Sequence, residues 1–460
     1  MDRVDTIVRA GTVLTMDAAN DGVAPTATQV GAISDGAIAV RDGDITAVGR
    51  WGDISDTIVA DRYLGGPDDI AIPGLFNCHQ HLTGDRLIRS MIPDDLPSGQ
   101  AIFEWAVPAH AAHRPDDDEL SATLSLVEAL CNGITYTVEA GTVAHPDRVL
   151  DAFQRVGAAG TLGSWGWDVD GEPWAGSVEE VLDRQRAVLE LTADRPLVDG
   201  WVTLVGHDLM SDKLVAAASE LARDHATHLT FHLSPTTSDP EQYLARTGVR
   251  PAVHLDRLDA LGNHVVIAHG VHLDDEEIEV ILQRDTAIAY CPWAYLRLGQ
   301  GASSAGRHAQ IRRRGGRIGL GCDAENASDA IDIMRAATLA AGLAKDTTQD
   351  PEALTAHDAL AMVTIEGARA CGVDALLGSL TVGKRADVVL LDTSGPEWTP
   401  RSPDPVLQLI WASDGRCVRD VMIAGRDVVR HGQPVLVDRG DLAVEAQVAH
   451  DRLVRDAGLS

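Results

Sequence analysis

The sequence predicts an α/β protein: a (β/α)8 TIM barrel carrying a small β-sandwich domain built from both chain ends. Three observations lead there. Between about residues 71 and 375, eight short apolar runs alternate with helical stretches, the number and size of units that close such a barrel. β-like text near the start returns after 376, around a different middle. Polar side chains able to bind a metal end several of the apolar runs, on the side where this fold builds its site. The expected division is 1–70 plus 376–437 for the sandwich, 71–375 for the barrel, and a C-terminal helix over 438–460.

Taken in order, residues 4–17 read as an extended segment. Over 36–50, two alternating apolar runs flank Asp42-Gly43, a strong hairpin pair. Barrel strands are expected near 71–78, 133–139, 159–165, 198–205, 228–232, 264–269, 286–291 and 317–322. The clearest helices between them cover 118–132 and 177–191. After Gly383-Lys384-Arg385-Ala386-Asp387 comes a strand over 388–392. Strands over 418–423 and 428–430 then flank a turn at 424–427.

Bulk composition narrows the function classes. A hydrophobic fraction of 45% over 460 residues allows a full core. The formal net charge of −31 makes nucleic acid and anionic membranes poor partners. Lysine is confined to Lys213, Lys345 and Lys384, so arginine carries most of the positive charge. The six cysteines form no C-x-x-C pair, which fits reduced thiols in a cytoplasmic protein better than a disulfide scaffold. No basic-then-apolar leader opens the chain, and no apolar run approaches the ~20 residues of a membrane span.

The chemistry begins at His79 and His81. On a strand, residues i and i+2 face the same way, so both imidazoles can aim at one point. Alone the pair is weak, since 17 histidines would yield roughly 0.6 such pairs by chance. Its weight comes from its company: His232 ends the fifth strand, His269 the sixth, and Asp323 the eighth. His110, His113, His225 and His357 are assigned to the surface.

These motifs resemble the amidohydrolase superfamily, in the branch of cytosine, guanine and S-adenosylhomocysteine deaminases and triazine hydrolases. Pro73-Gly74-Leu75-Phe76-Asn77-Cys78-His79-Gln80-His81 is similar to its Pro-Gly-x-x-Asn-x-His-x-His. His269-Gly270-Val271-His272-Leu273, Gly319-Leu320-Gly321-Cys322-Asp323 and the segment 378–387 resemble its later signatures. The resemblance implies one divalent metal, zinc or iron, held by His79, His81, His232 and Asp323. It places His269 beside the metal as a catalytic group and His207 against substrate, and it implies homodimers or larger assemblies. Three imidazoles and a carboxylate suit such an ion on chemical grounds as well, and Asp323 has the chemistry of a general base.

Two departures matter. The branch has Glu three residues after the fifth-strand histidine, where it protonates the substrate ring; here that position is Pro235. Glu139, Asp239, Glu241 and Glu325 are the acids that could substitute. The seventh strand ends Cys291-Pro292-Trp293-Ala294-Tyr295, with aromatics where the family has small polar residues. Trp165, Trp167 and Trp174, beside Glu172-Pro173, add to this pattern. Trp165, Trp167, Trp293 and Tyr295 are therefore expected at an aromatic substrate, with Glu139 as a further contact. Arg86 or Arg89 could bind a substrate carboxylate, or form an internal ion pair.

The primary reading is a metal-dependent hydrolase of a non-peptide C–N bond in a small aromatic or heterocyclic molecule. The alternatives are an aminohydrolase of a purine, pyrimidine or triazine-like ring, a cyclodehydratase forming a benzoxazole-type ring in specialised metabolism, and a non-catalytic binding module.

Overall fold

A computed structural model describes residues 1–17, 30–169 and 174–459. The chain ends form one eight-stranded sheet. Its members are β1 (Asp2–Leu14), β2 (Ala32–Arg41), β3 (Asp44–Arg50) and β4 (Ile58–Pro73) from the first part of the chain. The barrel strands are β5 (Leu75–Gln80), β6 (Ile134–Glu139), β7 (Ala159–Leu162), β8 (Val198–Gly200), β9 (Val202–Gly206), β10 (Leu229–Leu233), β11 (Val265–His269), β12 (Ala287–Tyr290) and β13 (Ile318–Leu320). The sheet is completed by β14 (Val388–Asp392), β15 (Val418–Ile423), β16 (Arg426–Arg430) and β17 (Gln433–Pro434).

The terminal sheet runs β17-β16-β15-β14-β4-β1-β2-β3, antiparallel except where β1 lies parallel to β4. It folds over so that the β2–β3 turn meets the segment leading into β14. Gly43 O, in the β2–β3 turn, accepts from Ala386 N at 2.8 Å, and Ile45 N donates to Lys384 O at 2.8 Å. Between the facing halves lie Val8, Ile38, Leu64, Val388, Leu390 and Met422, all buried. The sandwich is thus one continuous sheet doubled on itself.

The boundary with the barrel falls later than expected. Ile70–Pro73 pair with β14 and belong to the terminal sheet. The single run expected over 71–78 is two strands broken at Gly74. A side chain there would run into Thr135, whose Oγ1 lies 1.9 Å from the position of a Cβ. Apolar periodicity reads straight through such a break, because both strands are fully buried at the junction.

The barrel strands pair in parallel as β5-β6-β7-β8 and β9-β10-β11-β12-β13. β8 and β9 are two pieces of the fourth barrel strand, interrupted at Trp201. A parallel bridge between Gln80 and Asp323 joins β5 to the end of β13 and closes the ring. The helix expected over 118–132 spans Pro115–Cys131, and the one over 177–191 spans Val178–Thr192, where Ser177 and Glu180 form a capping box. The C-terminal helix Arg439–Asp456 packs beside Pro115–Cys131, and His450 Nδ1 donates to Leu87 O at 2.6 Å. All six cysteines are free. Among the described residues, no helix is long and apolar enough to cross a membrane.

Candidate metal centre

Strand pleating places the first two site residues. His79 on β5 and His81, one residue past its end, alternate with Cys78 and Gln80 and turn to the same side. Asn77 fastens this strand to the eighth: its Oδ1 accepts from Cys322 N at 2.9 Å. Asp323 N in turn donates to His79 O at 2.9 Å. His232 and His269 close β10 and β11, which pair so that Leu233 faces His269.

The rings converge. Centroids lie 5.1 Å apart for His79–His81, 4.9 Å for His79–His232, 5.2 Å for His79–His269 and 5.2 Å for His81–His232. Asp323 Oδ1 lies 3.6 Å from His79 Nε2 and 3.4 Å from His81 Nε2, and its Oδ2 lies 4.0 Å from His269 Nδ1. Ligand atoms of His79, His81 and His232 lie within 4.8 Å of one another, as do those of His79, His269 and Asp323. His207, His269 and Asp323 all hold positive φ, at +53°, +80° and +67°. Such backbone is unfavourable for residues with side chains and concentrates at functional sites.

The hydrogen bonds show that a cation fits. His232 Nδ1 lies 2.6 Å from Val205 O, which can only accept, so Nδ1 carries the proton and Nε2 offers a lone pair. His81 Nδ1 lies 3.1 Å from Thr142 Oγ1, whose own proton goes to Glu139 Oε1 at 3.3 Å. His81 Nε2 is therefore also bare, and the two lone pairs face each other at 3.2 Å. Both ring nitrogens of His79 and Nδ1 of His269 are buried without partners. Opposed lone pairs and orphaned imidazoles are stable together when a cation lies between them. Burial pushes the imidazoles of His79, His232 and His269 below their ordinary value, strongly for the last two. Burial would raise Asp323, but the His79 and His81 rings override it and hold the carboxyl well below the usual range. Burial would lower His81, but Asp323 outweighs it and draws that imidazole above its ordinary value. A bound cation would displace the added proton, leaving the neutral imidazoles and ionised carboxylate that ligation requires.

Above this cluster opens a cavity of about 440 Å³. Trp165, Trp167 and His207 line it, as expected from the sequence, together with Pro235 and Asp239. Trp165 stacks on Trp174 at 4.4 Å with an interplanar angle of 5°. His207 Nδ1 lies 3.0 Å from Asp239 Oδ2, and its ring stacks on His232 at 5.4 Å.

Four expected substrate contacts fall elsewhere. Glu139 is fully buried behind the cluster, accepting from Gly141 N at 2.6 Å and Thr142 N at 3.2 Å. It orients Thr142, and through it His81. Glu139→Gln is expected to weaken metal binding about 10–100-fold, the usual cost of losing a partner behind a ligand, measurable by competition with a chelator of known affinity. Trp293 and Tyr295 lie on the helix Pro292–Arg297, where two residues apart means different faces. Trp293 sits under the Arg335 guanidinium at 4.3 Å. Tyr295 is buried edge-on to His269 at 5.6 Å, and its hydroxyl accepts from Cys291 N at 2.9 Å. Arg86 pairs with Glu128 and lies 3.7 Å from Glu325, and Arg89 grips the same Glu128, so the internal ion pair is the arrangement found. Glu325 is buried against Ser125 Oγ at 2.9 Å, and Glu172-Pro173 lie outside the described residues.

One lining residue was misplaced from sequence. His110 is buried, lines the cavity, and lies 3.1 Å from Asp85 Oδ1 through Nε2. The two are 25 residues apart within one irregular loop, and no periodicity connects them. His113 is also turned inward, its Nδ1 2.8 Å from Asp118.

The amidohydrolase family model matches residues 70–428. The chain is an amidohydrolase. It is 28% identical over 98% of its length to a 5-methylthioadenosine/S-adenosylhomocysteine deaminase of Syntrophobacter fumaroxidans, covering 97% of that protein. It is 29% identical to a 5'-deoxyadenosine deaminase of Methanothermobacter thermautotrophicus, over 89% of this chain and 92% of the relative. A zinc-bound adenosine deaminase from Xanthomonas campestris superposes with a TM-score of 0.91 at 27% identity, covering 99% of both chains. This amidohydrolase is a metal-dependent hydrolase of a non-peptide C–N bond, with a site suited to one divalent ion, zinc foremost. Its hydrolase relatives and a cluster of residues that could hold a metal ion oppose the binding-module reading.

Proposed function

We propose that this amidohydrolase removes an exocyclic amino group from a flat, purine-like heteroaromatic substrate, releasing ammonia. His79, His81, His232 and Asp323 would hold the ion. When bound, the ion supplies Lewis acidity, lowering the pKa of water towards ~7. Asp323, ionised and at the centre of the cluster, takes a proton from the attacking water and returns it to the departing amine. His269 stands beside Asp323, where it can hold the attacking water's oxygen as it bonds to the ring carbon and the displaced electron pair passes to the adjacent ring nitrogen. Trp165 and Trp167 offer flat apolar walls for the ring.

The observation that carries this reading is the placement of His207 and Asp239 beside the cluster. Proline at 235 cannot donate a proton to a ring nitrogen, whereas His207 can. Its Nδ1 is held by Asp239, and its side chain, 28% exposed, is the most open among the site's ion-paired imidazoles. The deaminase relatives support the substrate class. Cytoplasmic location and a homo-oligomer belong to the same reading.

The test is ammonia release from a panel of adenosine, 5'-deoxyadenosine, guanine and cytosine by zinc-loaded protein. At least one purine member is expected to give ammonia stoichiometric with its oxo product, and His207→Phe to lower kcat. A second reading, hydrolysis of an aryl amide, is favoured by Pro235. It would be supported by aniline release from anilides with no ammonia from any ring.

A further inference from the structure

The described lining of the cavity above the metal centre contains acids but neither lysine nor arginine. Asp85, Asp208, Asp239 and Asp323 line it, and among the described residues no lysine or arginine does. The remaining residues, 18–29, 170–173 and 460, contain neither type. The cations nearby in the fold are committed. Arg246, which pairs with Asp208 at 2.8 Å, also binds Asp212 at 3.0 Å and lies over the Tyr243 ring. Arg86 and Arg89 are taken by Glu128. Asp85 and Asp239 are in turn matched by His110 and His207. Away from the metal centre, an anionic group on a substrate would enter a partly desolvated cavity facing carboxylates with no lysine or arginine left to pair with it, an arrangement that costs heavily.

One wall asks for something else. Trp165 is 5% exposed and lines the cavity, yet its indole Nε1 has no acceptor in the protein. The ring cannot swing to find one. It is stacked on Trp174, tilted against Trp167 at 5.4 Å and edge-on to His110 at 5.5 Å. Asp85 fixes His110, so the loop after the first barrel strand braces the loop after the third. A buried donor held this rigidly is a recognition element for a ligand acceptor.

We propose that the site selects an uncharged substrate: a flat ring system with no carboxylate, phosphate or sulfonate remote from the scissile bond, and with an acceptor that takes the Trp165 N–H. The inference rests on the C–N hydrolase reading of the site. It does not require the ring to be a purine.

The test uses full-length, zinc-loaded protein and two matched pairs: 5'-deoxyadenosine against adenosine 5'-monophosphate, and 4-methylacetanilide against 4-carboxyacetanilide. Turnover is read as kcat/KM, and any member not turned over is measured as Kd by calorimetry. The neutral member of each pair that binds is expected to be favoured about 100-fold, the scale of an unpaired buried charge. Leu298→Arg, which places a guanidinium in the cavity wall, is expected to narrow that gap at least about 10-fold. Trp165→Phe, which keeps the ring and removes the donor, is expected to weaken the neutral ligand about 10-fold. An anionic member equal to or better than its neutral partner overturns the proposal. So does the absence of binding by both neutral members at millimolar concentration. Turnover of the anilide alone would refute the purine reading, while the anilide pair would still report the charge preference.

Discussion

Asp323→Asn is expected to lower kcat about 10³–10⁴-fold, near the upper range of a lost general base, while the protein stays folded. Asp323 is the carboxylate to which His79, His81 and His269 all turn, at 3.6, 3.4 and 4.0 Å. An amide of the same shape still fills the space and can still accept from Ala324 N, which reaches Oδ1 at 2.8 Å. It cannot take a proton from water. The substitution also removes the one carboxylate of the proposed ligand set, so zinc affinity should fall alongside kcat. Saturating zinc separates the two: if it restores more than a tenth of the activity, Asp323 is a ligand only and another group moves the proton.

The second large effect belongs to His79→Ala. Both of its ring nitrogens are buried without partners, so it makes no hydrogen bond that would explain its place in an ion-free core. Its loss is expected to abolish stoichiometric zinc and lower activity at least about 10³-fold, because metal activation of water is lost. Stability reports the same event independently. Zinc at 100 times its Kd stabilises a folded protein by about 2.7 kcal/mol through linkage. The wild-type Tm should rise on adding zinc to the apoprotein, and the Tm of the variant should not. A zinc-dependent rise of equal size in the variant would place the ion elsewhere.

The convergence of His79, His81, His232, His269 and Asp323 was legible in the sequence because strand geometry ties spacing to direction. His79 and His81 share a face by period two, and His232, His269 and Asp323 each end an apolar run. The barrel was legible for the same reason. The sites misplaced from sequence sit where that rule stops. Trp293 and Tyr295 are expected on the loop after the seventh strand, but Pro292 opens a short helix that turns them apart. Glu139 ends β6 as expected, yet Gly141, at φ +86°, bends the chain back so that its own amide occupies the carboxylate. His110 meets Asp85 through a long irregular loop whose path depends on tertiary packing. Gly84, at φ +81°, shapes that contact, since a Cβ there would overlap the His110 ring.

The most direct test of the metal centre is a zinc titration of apoprotein prepared with a chelator, following C–N hydrolysis of the best substrate. Activity should rise linearly from near zero and break sharply at one zinc per chain, with the Asp323→Asn protein flat throughout. Full activity before zinc is added, or a break at two equivalents, would contradict a single ion held by His79, His81, His232 and Asp323.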